Sequence, residues 1–220
     1  MSIVGLLGGT FDPIHHGHLD VARAARRALA LDDVWFVPAR HPPHRTRPVA
    51  SAAHRFAMTA LAAPGEPGMR VCDAEMDTEG PSFTIDTLDR IEAQQPSLAG
   101  SLVFITGADT FREIRTWRRW QDLLGRCHFA VVSRTGCRAG DLRAFLPELA
   151  RHMHDAPCTV TPSPGIFLID AATTDVSSTH VRQTLAAGNR VSGLLPEIVA
   201  EYAVRHGLYA GPAVLETPRG

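Results

Sequence analysis

The stretch VGLLGGTFDPIHHGHLDVA, residues 4–22, ends an apolar run on two glycines and then sets three histidines within four positions. Gly8 and Gly9 leave bare backbone at a strand end, where a ligand can come close to the turn. Gly17 opens a helix whose first N–H groups would point back toward the same space, a setting that suits phosphate. The stretch is neither G-x-G-x-x-G nor a P-loop ending in G-K-[ST]. The histidines are therefore expected to supply what a P-loop lysine would, namely donors and positive charge. In the spacing H-x-G-H, His15 and His18 lie one helical turn apart, and Gly17 removes a Cβ that would crowd the gap. Two readings compete with this one. A His-rich metal tract is the first, although no carboxylate or cysteine at helical spacing completes the ligand set. Capping or solvent-exposed histidines that bind nothing are the second.

A second constellation lies far downstream. TDVSSTHVR, residues 174–182, places three hydroxyls at a helix start, with Arg182 three positions beyond Thr179. Ser177 or Ser178 can cap the helix, and Arg182, one turn in, would project on the same side as Ser178. Hydroxyls, backbone N–H groups and a guanidinium together make a cradle for a polyphosphate. Alone, the cluster reads equally as a plain N-cap; beside the first motif it reads as a site.

Positioning these groups requires an alternation of strand and helix. The apolar runs at 2–8, 33–39, 70–75, 101–107, 127–134 and 165–170 read as strands. Helices are expected from about Gly17, over 51–63, over 84–95, over 141–150, over 177–188 and over 196–207. The last two end at a glycine in the C′ position, and the last begins with Pro196 at N1. Such alternation argues for a parallel α/β sheet that binds ligands at the carboxyl ends of its strands. Residues 1–210 are expected to form one domain, with 211–220 a loose tail.

Composition narrows the function classes. Lys and Arg total 22 against 23 Asp and Glu, so no basic excess favours a phosphate polymer, and nucleic acid is not expected as a partner. Cys72, Cys127, Cys137 and Cys158 contain no C-x-x-C pair, which argues against a zinc ribbon or a thioredoxin-type site. Scattered single cysteines fit a reducing cytoplasm, where they act as small hydrophobes. The N-terminal apolar run is broken by Gly5, Gly8 and Gly9, and no stretch reaches membrane-spanning length, so neither a signal peptide nor a membrane association is expected.

GGTFDPIHHGH together with VSSTHVR resembles the paired signatures of bacterial nicotinate-nucleotide adenylyltransferases, in the nucleotidyltransferase superfamily. PPHR (42–45), HRFAM (54–58), PSFTIDTL (81–88), ITGADTF (105–111), Trp117 and LPEIVAEYAVRHGLY (195–209) extend the similarity over nearly the whole chain. The resemblance implies a Rossmann-like, doubly wound α/β fold with a small helical C-terminal part. It also implies a reaction requiring ATP and Mg²⁺, in which nicotinate mononucleotide attacks the α-phosphate to give deamido-NAD and pyrophosphate. By the same resemblance Gly9, Thr10, Phe11, His15 and His18 would contact ATP, joined by Gly107, Asp109, Ser178, Thr179 and Arg182. Catalysis would rest on His15, His18 and Arg182. Arg45, Thr84, Thr87, Asp109 and Trp117 would hold the nicotinate nucleotide, and Mg²⁺ would ride mainly on phosphate and water with no direct protein ligand, Asp109 being a candidate contact. SRTG (133–136) stands where the family has R-P-G, which brings in Arg134 as a further candidate. The oligomeric state is left open, a homo-oligomer included.

Charge then shapes the expected mechanism. The attacking phosphate is already an anion near neutral pH, so no general base is needed, and the obstacle is repulsion between anions plus charge building on pyrophosphate. The site should hold cations and donors and no nucleophile. Thr84 and Thr87 start a helix whose N–H groups would favour the nicotinate carboxylate over a neutral amide. Trp117, amid the polar RTWRRWQ, reads as a flat partner for a pyridine ring or as a core aromatic. Asp109 reads as a ligand of Mg²⁺ through water, a ribose partner or a helix N-cap. Arg40, His41, His44 and Arg47 read as lining for a loop beside the substrate phosphate or as solvated charges. Three functions stay in view: the nicotinate-nucleotide enzyme, an adenylyltransferase for another phosphomonoester such as phosphopantetheine or the amide mononucleotide, and a nucleotide-binding regulator without turnover.

Overall fold

Apolar runs bounded by glycine, proline or polar turns become seven parallel strands in a computed structural model, which describes residues 2–43, 47–158, 160 and 163–210. The strands are β1 Val4–Gly9, β2 Asp33–Pro38, β3 Met69–Val71, β4 Leu102–Gly107, β5 His128–Val132, β6 Met153–Asp155 and β7 Ile166–Ile169, in the order β3-β2-β1-β4-β5-β7-β6. Every strand pairing is parallel. Side chains alternate between the two faces, as the pleat requires. In β4, Leu102 and Phe104 enter one core while Val103 and Ile105 enter the other.

The helices are α1 His16–Ala28, α2 Ala52–Ala62, α3 Thr84–Gln94, α4 Ala108–Phe111, α5 Trp120–Arg126, α6 Leu142–Phe145, α7 Ser178–Ala186 and α8 Glu197–Arg205. Helices α1, α2, α7 and α8 send Leu19, Met58, Val181 and Val199 into one core, and α3, α5 and α6 send Leu88, Leu123 and Leu142 into the other. The chain winds outward from β1 to β3 over one face, then jumps back to β4 and winds over the other. That reversal makes a doubly wound sheet, with a crevice between β1 and β4 at their carboxyl ends.

Several expected boundaries shift. The strand expected over 70–75 ends at Val71, because the chain turns at once, with Met76 N–H donating to Asp73 O at 2.7 Å. The helix expected over 141–150 breaks into α6 between 3-10 turns at Ala139–Asp141 and Pro147–His152, where Pro147 cannot continue a helix. Pro196 is the N-cap of α8 and not its first residue. β6, α4 and α5 are additional elements: each is short, and the exposed polar ends of β6 carry no alternation to read. Gly188 and Gly207 follow the last two helices at φ +72° and +60°, the left-handed stop expected of them.

All four cysteines are free thiols, and burial pushes the Cys127 thiol up to about 12, as suits a small hydrophobe. No helix among the described residues is long and apolar enough to cross a membrane. His44, Arg45 and the tail 211–220 lie outside the described residues.

Candidate active site

β1 delivers Gly9 and Thr10 to the crevice, and the chain then turns sharply, with Phe11 held at φ +48°. A side chain at φ near +50° is strained unless its surroundings hold it there. Here the Phe11 ring is 1% exposed, edge-on to His18 at 5.0 Å and to Phe36 at 5.9 Å. A Cβ on Gly9 would stand 2.8 Å from that ring, and one on Gly8 would stand 3.1 Å from the Phe104 ring. The two glycines thus serve aromatic packing under the turn. The Phe11 side chain, expected to contact ATP, is buried beneath the turn.

His15 caps α1 and His18 stacks on it, with ring centroids 3.7 Å apart and planes 24° from parallel. The His15 N–H donates to His18 Nδ1 at 3.3 Å. Because His18 Nδ1 accepts, the ring's proton sits on Nε2, which makes that nitrogen a donor. A Cβ on Gly17 would stand 3.0 Å from the Thr174 carbonyl and 3.1 Å from His15 Nδ1, so glycine is what lets the ring and that carbonyl close over the helix start. The helix end is less open than expected, since His16 N–H donates to Leu194 O and His18 N–H to His15 O.

His15 also departs from the expected charge. It is 2% exposed, its Nδ1 is buried without a partner, and burial, with Arg134 and His16 nearby, lowers its pKa from 6.5 to about 3. It is neutral at physiological pH and not a cation. The native state refuses a proton that the unfolded chain accepts below about 6.5. His15 therefore contributes stability that is complete above pH 6.5 and is lost progressively as pH falls toward 3. Nitrogen NMR of the imidazole should show no titration between pH 5 and 8; a midpoint near 6.5 would refute the assignment.

The late motif converges on the same loop. Ser177 caps α7 by accepting from the His180 N–H at 3.2 Å. Ser178 Oγ donates to Pro13 O at 3.0 Å, and Arg182 Nη1 donates to Asp12 O at 2.8 Å. Arg182 Nη2 donates to Thr179 Oγ1 at 3.2 Å, and Thr174 binds Asp20 of α1. Ser178 and Arg182 thus project on one side, as their spacing predicts. On the other flank Asp109 folds back over Gly107 at the end of β4, and the Arg134 side chain passes beside Gly107 close enough for its charge to act on His15. Among the described residues no three His, Cys, Asp or Glu side chains gather to hold a metal ion.

Thr84, Thr87 and Trp117, expected to hold the nicotinate nucleotide, lie on α3 and in the segment after α4. Phe83 caps α3 with no side-chain hydrogen bond to its first turn, so Thr84 stands at an uncapped helix start. Arg118 ties the Trp117 segment to that start, 4.9 Å over the Phe83 ring and 3.5 Å from Asp86. Trp117 is half-buried, edge-on to Phe104 at 5.6 Å, so it packs on the core while part of its ring stays accessible. Thr87 is redirected: it is buried, and its hydroxyl is bonded to Glu75 and the Phe83 carbonyl. It fixes the helix start from behind.

Three residues were missed as site supports. Arg55, 1% exposed, donates to the carbonyls of Thr10, Ala39, Arg40 and Ala50, tying the ends of β1 and β2 together. Asp12 and Tyr209 meet at 2.7 Å in the interior. Each lies inside a quoted stretch, but a lone polar residue whose partners are distant in the chain carries no periodicity that foretells burial.

A cytidylyltransferase-like family model matches residues 6–184. A protein of Halorhodospira halophila named "Probable nicotinate-nucleotide adenylyltransferase" is 40% identical over 211 residues, covering 95% of this chain and 96% of its own. One of the same name from Pectobacterium atrosepticum is 40% identical over 214 residues, covering 94% and 99%. Among solved structures, nicotinic acid mononucleotide adenylyltransferase of Plasmodium falciparum complexed with NaAD superposes with a TM-score of 0.72 at 18% identity, covering 95% of this chain and 98% of that one.

Proposed function

The chain belongs to the nicotinate-nucleotide adenylyltransferases of the cytidylyltransferase-like family, and on that premise we propose how its own residues transfer the adenylyl group of ATP to nicotinate mononucleotide. The observation that carries the reading is the convergence of the β1 turn and the α7 start, stitched by Ser178 to Pro13 and Arg182 to Asp12. A triphosphate lying across that seam meets the His18 Nε2–H, the Thr179 hydroxyl and the remaining N–H groups of Arg182. Ser178, whose proton goes to Pro13, contributes its backbone N–H. His15 orients His18 by stacking and by its own N–H.

The acceptor phosphate needs no base, so these groups act by orienting it in line and by offsetting charge on the leaving pyrophosphate. Mg²⁺ fits this site as a companion of the triphosphate, because the exposed Asp109 suits contact through water and no closed ligand set gathers among the described residues. When bound it neutralises phosphate charge. Neutral His15, the donor His18 and the cation Arg182 divide the remaining work among themselves.

Incubation with ATP, Mg²⁺ and each of nicotinate mononucleotide, the amide mononucleotide and phosphopantetheine should release pyrophosphate fastest with the first, with deamido-NAD as the co-product. Equal release with phosphopantetheine would overturn the acceptor assignment, and none with any acceptor would leave a nucleotide-binding regulator.

A further inference from the structure

Asp12 sits at the centre of a buried network that the phosphate-binding groups do not explain. Its carboxylate is 4% exposed and accepts from Val49 N–H at 2.8 Å, Ala50 N–H at 3.1 Å and the Tyr209 hydroxyl at 2.7 Å. Tyr209 comes from the far end of the chain, is itself buried, and is held at φ +64°. Phe11, next to Asp12, is the other left-handed side chain of the network. A left-handed Tyr209 bonded to the carboxylate of Asp12, itself next to a left-handed Phe11, points to a geometry the fold holds for a purpose.

Two guanidiniums lie near that carboxylate. Arg55 cannot turn, because the carbonyls of Thr10, Ala39, Arg40 and Ala50 hold it. Arg182 can: its side chain is 27% exposed, and its Nη1 rests on the Asp12 backbone carbonyl with the carboxylate Oδ2 still 3.9 Å away. A buried carboxylate short of a donor draws in the nearest charged one.

We infer that Tyr209 is a positioning residue for Arg182: by donating to Asp12 Oδ1 it completes the carboxylate and leaves the guanidinium turned toward the triphosphate. Burial and the Asp12 charge hold the phenol above its ordinary range, so it stays a donor at every working pH. The inference rests on Arg182 binding phosphate as proposed above. It adds that Tyr209, in the turn after α8, sets the affinity for ATP from outside the site.

The test is a double-mutant cycle read in kcat/KM for ATP and in KM for nicotinate mononucleotide. Tyr209→Phe keeps the ring and removes the hydroxyl, and it should lower kcat/KM for ATP about tenfold, the low end for one charge-assisted bond. KM for the mononucleotide should not move. In the Arg182→Ala background the same change should cost nothing further, because the group it acts through is gone. If Y209F fails to fold by thermal melting, Tyr209→Met supplies a second hydroxyl-free side chain for the same cycle. Equal losses in both backgrounds, or a rise in both KM values, would make Tyr209 merely structural and overturn the inference. Wild-type ATP kinetics in R182A would instead remove the phosphate role of Arg182.

Discussion

His18→Ala should retain its fold and lose 10²–10³ in kcat, about 2.7–4 kcal/mol, the range seen when one preorganised donor is removed from an anionic transition state. The argument starts from the acceptor role of Nδ1, which receives the His15 N–H at 3.3 Å and so puts the proton on Nε2. The ring is sandwiched between the His15 face at 3.7 Å and the Phe11 edge at 5.0 Å, so its donor is aimed before substrate arrives. Alanine also removes the acceptor for His15 N–H, a capping loss of about 0.5–2 kcal/mol that a fold with two packed cores can carry. The two effects separate by substitution. Glutamine carries its amide nitrogen near the place of Nε2 and should recover part of kcat, whereas asparagine, whose amide reaches only to the place of Nδ1, should restore the cap and little turnover. Wild-type turnover in H18A would take His18 out of the mechanism.

How far the sequence carries is visible in the same residues. H-x-G-H and S-S-T-x-x-R are read from spacing because helical periodicity converts three or four positions into one face, and both clusters do meet at the Asp12–Pro13 turn. The long strands are legible for the same reason: a buried parallel strand is a continuous apolar run. Charge state is not legible. His15 and His18 look equivalent in HHGH, yet His15 alone caps the helix and is buried, and its environment removes the proton. Nor does spacing reveal that the Thr87 hydroxyl turns to Glu75, since that depends on the chain doubling back after β3. Asp12, Arg55 and Tyr209 are hidden for a related reason, as their partners are backbone groups and loops brought together from positions up to 197 residues apart.

The preference for an acid over an amide mononucleotide should be large, at least 10²-fold in kcat/KM. An uncapped α3 start offers N–H groups that a carboxylate satisfies with both oxygens, while an amide offers one oxygen and turns its NH₂ against a donor. Oriented donors left unpaired by the wrong ligand are the strongest source of discrimination. Negative charge nearby works against this preference: Asp86 lies in the first turn of α3, and Glu75 is bonded to Thr87 behind it. Arg118 offsets Asp86 from 3.5 Å while its guanidinium lies over the Phe83 ring. Arg118 is more than half exposed, so the pair contributes little to stability, but it sets the local field at the helix start. Arg118→Ala should therefore narrow the acid-to-amide ratio several-fold through a higher KM for the acid, with KM for ATP unchanged and the melting temperature nearly so. A wild-type ratio near one would show that the α3 start does not read the carboxylate, and an unchanged ratio in R118A would assign the discrimination to the backbone donors alone.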